Sequence, residues 1–185
     1  MSSTVILIIS AAFHALWNFA LKKSSHKLGA SLAFMIIAIS LNAVYGLATS
    51  NLPDLSWTLV IGTVGAGIFE GLYFYLLNSA YSKQSLGVAY TIMRGGAMVM
   101  VWTISTIALG EIVSSRDILC IVAILIGIAC VQRSLSVADF FRAGTGAAHA
   151  CAVCIAGYHI CYGLAARAGA SPALVFASAM AVGVI

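Results

Sequence analysis

The chain has 185 residues, of which 62% are hydrophobic and 8% charged, with a formal net charge of +4 and a mean hydropathy of +1.08. A water-soluble domain needs about 25% charged residues to cover its surface, so this composition excludes a soluble globule. The basic residues stand dispersed at the ends of apolar runs or inside them, which gives no footprint for a nucleic-acid partner and makes membrane lipid the expected surroundings.

A bilayer core of roughly 30 Å takes about 20 mostly apolar residues per helix. On that basis seven spans are predicted: Thr4–Leu21, Leu28–Thr49, Trp57–Ser79, Gly87–Leu109, Ile118–Gln132, Ala143–Ala166 and Ala173–Ile185. The breaks between them, from KKSSHK to RAGASP, carry turn residues and charge. Transmembrane β-strands alternate apolar and polar over about ten residues; these runs are continuously apolar, so the fold class is all-α, a polytopic membrane helix bundle. No basic segment precedes Val5 and lysines follow the first run instead, so it reads as a retained span rather than a cleaved signal.

In the first span His14, Trp17 and Asn18 are spaced i, i+3 and i+4 and share one helix face. Two readings stay open: packing between helices by hydrogen bonds, or the wall of a cavity for a polar solute. Glu70 lies at mid-depth in the third span, where a carboxylate costs at least about 3 kcal/mol and normally faces a cavity or a partner. Gly67 and Gly71 beside it form a small-xxx-small step for close helix approach, and Ala123 with Gly127 in the fifth span forms another.

Arg94 stands in the fourth span, antiparallel to the third. Counted from the YSKQS turn, Glu70 is about thirteen residues deep and Arg94 about ten, a difference of roughly one helical turn at 1.5 Å per residue. A Glu70–Arg94 pair is therefore expected, either as a fixed ion pair or as a carboxylate released by a proton or by substrate. Tyr73 shares the face of Glu70, and Tyr90 that of Arg94.

The sixth span holds His149, Cys151, Cys154, His159 and Cys161. His and Cys are metal ligands, but His159 points away from the face that Cys151 and Cys154 share, so no metal or other cofactor is expected. The cysteines read as small apolar fillers rather than a disulfide framework. No Ser-His or Cys-His pairing has a third group to orient it, so no enzyme is expected.

Two features concern organisation. Shifting Lys27 onto Arg167 superposes KLGASLA on RAGASPA, with five predicted helices between the corresponding points. An odd number of crossings places the second copy on the opposite face, which is the inverted-repeat architecture of secondary transporters. The expected domains are residues 1–134, a complete first repeat, and 135–185, the start of a second. The seventh span offers about 13 residues, or roughly 20 Å of helix, so a chain truncated in its second repeat is expected, completed by further C-terminal helices or by a second chain.

The stretch from Ser79 to Val131 resembles the end of the first repeat of EamA-type transporters, in the drug/metabolite transporter superfamily. The likeness rests on Tyr90, Arg94 and Gly95, on Leu109, Gly110 and Glu111, and on Gly127; HALWN in the first span is similar to one branch of the family. A proline common after the Arg-Gly is replaced in the region of Met98, which puts a family-like unwound substrate site in the fourth helix in doubt, and Cys120 stands where the first glycine of the fifth helix would be. The resemblance implies two inverted five-helix repeats around a central cavity, and substrates from amino acids and sugars to nucleotide derivatives and lipophilic cations.

The resulting expectation is an integral, multi-pass protein of the cell membrane that moves a small organic metabolite or drug by alternating access. His14, Trp17 and Asn18 would line its cavity, Tyr73, Tyr90 and Tyr158 would add aromatic walls, and Glu70 and Arg94 would supply charge. The alternative is a membrane protein that transports nothing: an assembly partner or an inactive product. Orientation is left open, because counting positive loop charge places the N-terminus outside whereas the resemblance implies the cytoplasm.

Overall fold

The computed structural model describes residues 3–50, 52, 54–131 and 144–184. Among these residues there are seven helices and no strand: α1 (Ser3–Lys23), α2 (Lys27–Thr49), α3 (Trp57–Lys83), α4 (Leu86–Ala108), α5 (Ser115–Val131), α6 (Gly146–Arg167) and α7 (Pro172–Val184). Each predicted span contains one helix. The predicted domain boundary after residue 134, the last residue of the fifth span and the first of the sixth fall outside the described residues.

Local chemistry explains the helix ends. The Ser56 hydroxyl accepts from the Leu59 amide at 3.2 Å, and that of Ser85 from the Val88 amide at 3.4 Å, so α3 and α4 each begin with a side-chain cap for a backbone donor that would otherwise lack a partner. Before α5 the cap is reciprocal: Asp117 Oδ2 accepts from the Ser114 amide at 2.9 Å, and Ser114 Oγ accepts from the Asp117 amide at 3.3 Å. Gly110 after α4 and Gly169 after α6 take φ of +65° and +79°, which an L side chain would resist. Pro172 opens α7, where its missing N–H costs nothing.

α3 is the hub. It packs along α6 and α7; α6 in turn packs on α4, and α7 on α2. In lipid no hydrophobic gain draws helices together, so close approach through small residues takes its place. A Cβ added at Gly67 would lie 2.4 Å from the Ala179 carbonyl oxygen, and one at Gly71 would lie 2.6 Å from that of Gly183. The small-residue step read beside Glu70 is thus the crossing point of α3 and α7. At the second expected step Ala123 is exposed, and among the described residues nothing lies within 4 Å of a Cβ at Gly127. Among the described residues α5 touches the bundle chiefly through α4.

Large apolar side chains face outward, and a few polar ones lie within a largely apolar interior. Phe13, Leu41, Val44 and Ile61 are each more than three-fifths exposed, while Asn18, Glu70 and Thr91 are buried. Among the described residues four helices, α2, α3, α4 and α6, are long and apolar enough to cross a membrane. The coarse expectation therefore stands: this is an all-helical bundle with the make-up of a membrane protein.

Candidate functional site

α1 brings its three singled-out residues to one interior face, where they do different things. Asn18 is buried at 2% exposure; its Oδ1 accepts from the Tyr81 hydroxyl of α3 at 2.6 Å, and its Nδ2 donates to the His14 carbonyl oxygen at 2.7 Å. Trp17 stacks on Phe34 of α2, with centroids 4.4 Å apart, and meets Phe74 of α3 edge-on at 5.8 Å. His14 accepts through its ring from the Arg94 guanidinium. Asn18 joins α1 to α3, as the packing reading has it, and His14 joins α1 to the Arg94 guanidinium of α4.

Arg94 also lies over the ring of Tyr90, one turn away, at 5.8 Å from its centroid. Its partner is not Glu70. The carboxylate, 5% exposed, accepts from the Tyr162 hydroxyl of α6 at 2.6 Å, and no ion pair joins it to Arg94. The expected Glu70–Arg94 pair is therefore corrected. Similar depth along two helices says nothing of azimuth: α3 and α4, though joined by a short turn, barely touch, and α6 packs against both.

What connects the two charges is a file of rings. Tyr73 lies 5.2 Å from Phe74 and 6.0 Å from Tyr158, Tyr158 lies 5.9 Å from Tyr162, and Tyr162 lies 6.0 Å from Phe176 of α7. These separations suit edge-to-face aromatic contact. Tyr158 is near enough to both Arg94 and Glu70 to feel their charges. The file runs on through Phe74 to Trp17, linking α1, α3, α6 and α7.

The predicted residues thus fall into two groups with a bridge. His14, Tyr90 and Arg94 form one; Glu70 forms the other with Tyr162; Tyr73 and Tyr158 lie between, and Trp17 and Asn18 flank the first. Tyr162 and Tyr81 were missed. Tyr162 follows Tyr158 by one helical turn, and Tyr81 lies near the face of Tyr73 two turns on, so helical spacing carried both signals.

Elsewhere, Lys22 donates to the carbonyl oxygens of Tyr81 and of Gln84, the latter at 2.8 Å, which ties the end of α1 to the end of α3. At the other end of the bundle Glu111 pairs with Arg167 at 2.9 Å on the surface, and Ser50 meets Ser171 at 3.0 Å. Of the cavities at that second end, two adjoin Phe176. One, of about 260 Å³, is walled by Tyr162, Val175 and Phe176; the other, of about 710 Å³, lies between α2 and α7 and shares Phe176 and Pro172 with the first. Cys151 and Cys154 are buried, and Cys151 Sγ donates to the Tyr73 carbonyl oxygen at 3.8 Å. Among the described residues no three His, Cys, Asp or Glu side chains gather as metal ligands.

Comparison with protein-family models, with curated proteins and with solved structures gave no match for this chain.

Proposed function

We propose that the chain is a secondary carrier of a small organic solute, a metabolite or drug, built on the plan of EamA-type transporters and working by alternating access in the cell membrane. The observation that supports this best is the separation of Glu70 from Arg94. Two opposite charges inside an apolar bundle that neutralised each other would be structural glue; here each meets only an uncharged tyrosine or a histidine ring, with tyrosines between. Intramembrane charges left in that state ordinarily mark a solute or ion pathway.

The inverted repeat is part of the same proposal. The shift that superposes Lys27 on Arg167 carries Asn18 onto Tyr158, Leu21 onto Cys161 and His14 onto Cys154. Asn18, Leu21, Cys154 and Tyr158 are buried, so the interior face of α1 maps onto the interior face of α6. The pathway would lie near the bilayer midplane where the repeats meet.

The test is saturable flux. Proteoliposomes holding the chain are screened with labelled amino acids, sugars, nucleosides and organic cations, against liposomes holding Glu70→Gln. Flux in the first and not in the second is the expected result. A folded, inserted chain that moves none of them is the membrane protein without transport, and the proposal fails.

A further inference from the structure

Among the described residues Glu70 is the only buried carboxylate. An ionised carboxylate only accepts, with about four lone-pair sites, and Tyr162 fills one of them. No lysine, arginine or histidine of the described chain pairs with it. The ring of Tyr162 is also a wall of the 260 Å³ cavity, whose lining is otherwise apolar: alanines, Pro172, Val175 and Phe176. The 710 Å³ vestibule between α2 and α7 shares Pro172 and Phe176 with that cavity; Glu70 lines neither, so Tyr162 is what joins the carboxylate to them. Its polar groups, Asn42, Tyr45, Thr49, Ser50 and Ser171, are all uncharged, so it admits either sign and leaves discrimination to what lies behind it.

We propose that the Glu70–Tyr162 pair binds the ammonium group of a small aryl-alkyl amine, which reaches it from the α2–α7 vestibule past the Phe176 ring. A cation supplies the donors and the charge that the carboxylate lacks. The faces of Tyr162 and Phe176 attract a cation as well as an apolar ring, and the apolar cavity takes the rest of the molecule. Arg94, held by His14 within reach of Tyr158, sets a positive boundary on the other side, so a monocation fits and a dication is disfavoured. This deepens the carrier reading and rests on it only in treating the amine as cargo.

The experiment is equilibrium binding of labelled 2-phenylethylamine to the whole chain in lipid nanodiscs, with 2-phenylethanol as the uncharged competitor. The amine is expected to bind saturably and the alcohol at least about thirtyfold more weakly, the usual effect of leaving a buried charge unpaired. Glu70→Gln is expected to lose amine affinity by a similar factor, and Tyr162→Phe by about tenfold. Glu70→Asp keeps the charge; with thermal unfolding recorded for every variant, it separates loss of binding from loss of fold. No saturable amine binding, equal binding of alcohol and amine, or wild-type affinity in folded Glu70→Gln each overturns the proposal. Amine binding without flux in liposomes leaves it standing and removes the carrier reading, whereas flux of another solute without amine binding does the reverse.

Discussion

Glu70 and Arg94 lie at similar depths on consecutive helices, yet the protein treats them differently. Around Glu70 the backbones are close: α7 crosses α3 at Gly67 and Gly71, and one tyrosine hydroxyl reaches the carboxylate. Around Arg94 side chains fill the space: a histidine ring accepts from the guanidinium and a tyrosine ring lies beneath it. The first site depends on helix spacing and the second on side-chain identity. A backbone crossing cannot adjust to an added methyl group, whereas a long guanidinium can be re-seated, so the two sites should fail by different routes.

The largest expected effect comes from closing the helix spacing. Gly67→Val should push α7 off α3 and cost about 3 kcal/mol or more, at the top of the range for overpacking, read as a lowered unfolding temperature in detergent. The matched change on the Arg94 side, Gly96→Ala, places a Cβ 3.1 Å from that of Ala152 and should cost under about 1.5 kcal/mol. Equal losses at the two glycines would erase the distinction between the sites.

Next in size are couplings. A double-mutant cycle on Glu70→Gln and Tyr162→Phe should return about 1–3 kcal/mol, the scale for a hydrogen bond to a charged group. A cycle on His14→Ala and Arg94→Leu should give a similar or smaller value. The cross cycle of Glu70→Gln with Arg94→Leu should stay within about 0.5 kcal/mol, as for residues that share no contact. A large cross term would restore the ion pair that depth alone suggested.

Smaller again is Asn18→Ala, which removes the acceptor of the Tyr81 hydroxyl. Hydrogen bonds between membrane helices average about 0.6 kcal/mol, so the unfolding temperature should fall slightly while flux falls less than in the Glu70 variant. Arg167→Gln should change stability by at most about 1 kcal/mol, because its pair with Glu111 is solvent-exposed. Its effect should shrink further at high salt.

The helices were legible because each needs a run of apolar residues and a polar break, and both are local properties of sequence. Seven of seven positions followed, with ends shifted by a few residues where serine caps or glycine stops decide. The site was legible in depth only. That Glu70 and Arg94 lie in the interior follows from the cost of charge in lipid; that α6 packs against both of their helices is a tertiary fact that no local pattern carries. Gly67 and Gly71 could be read as a crossing but not assigned to α7. Ala123 and Gly127 have the same pattern and meet no helix among the described residues, because the pattern permits an approach without requiring one. Tyr162 carries no charge to single it out in the sequence, although its spacing from Tyr158 places it one turn along the same face.

The hydrogen bond from Tyr162 to Glu70 spans 92 positions of chain. A ribosome adding about 5–20 residues per second takes several seconds to cover that distance. Throughout that interval α3 has been made and its carboxylate has no tyrosine to meet, and α7, which closes over Gly67 and Gly71, comes later still. Until α6 emerges, the Glu70 carboxylate lacks the hydroxyl that the finished bundle gives it, and a lone carboxylate in lipid costs at least about 3 kcal/mol.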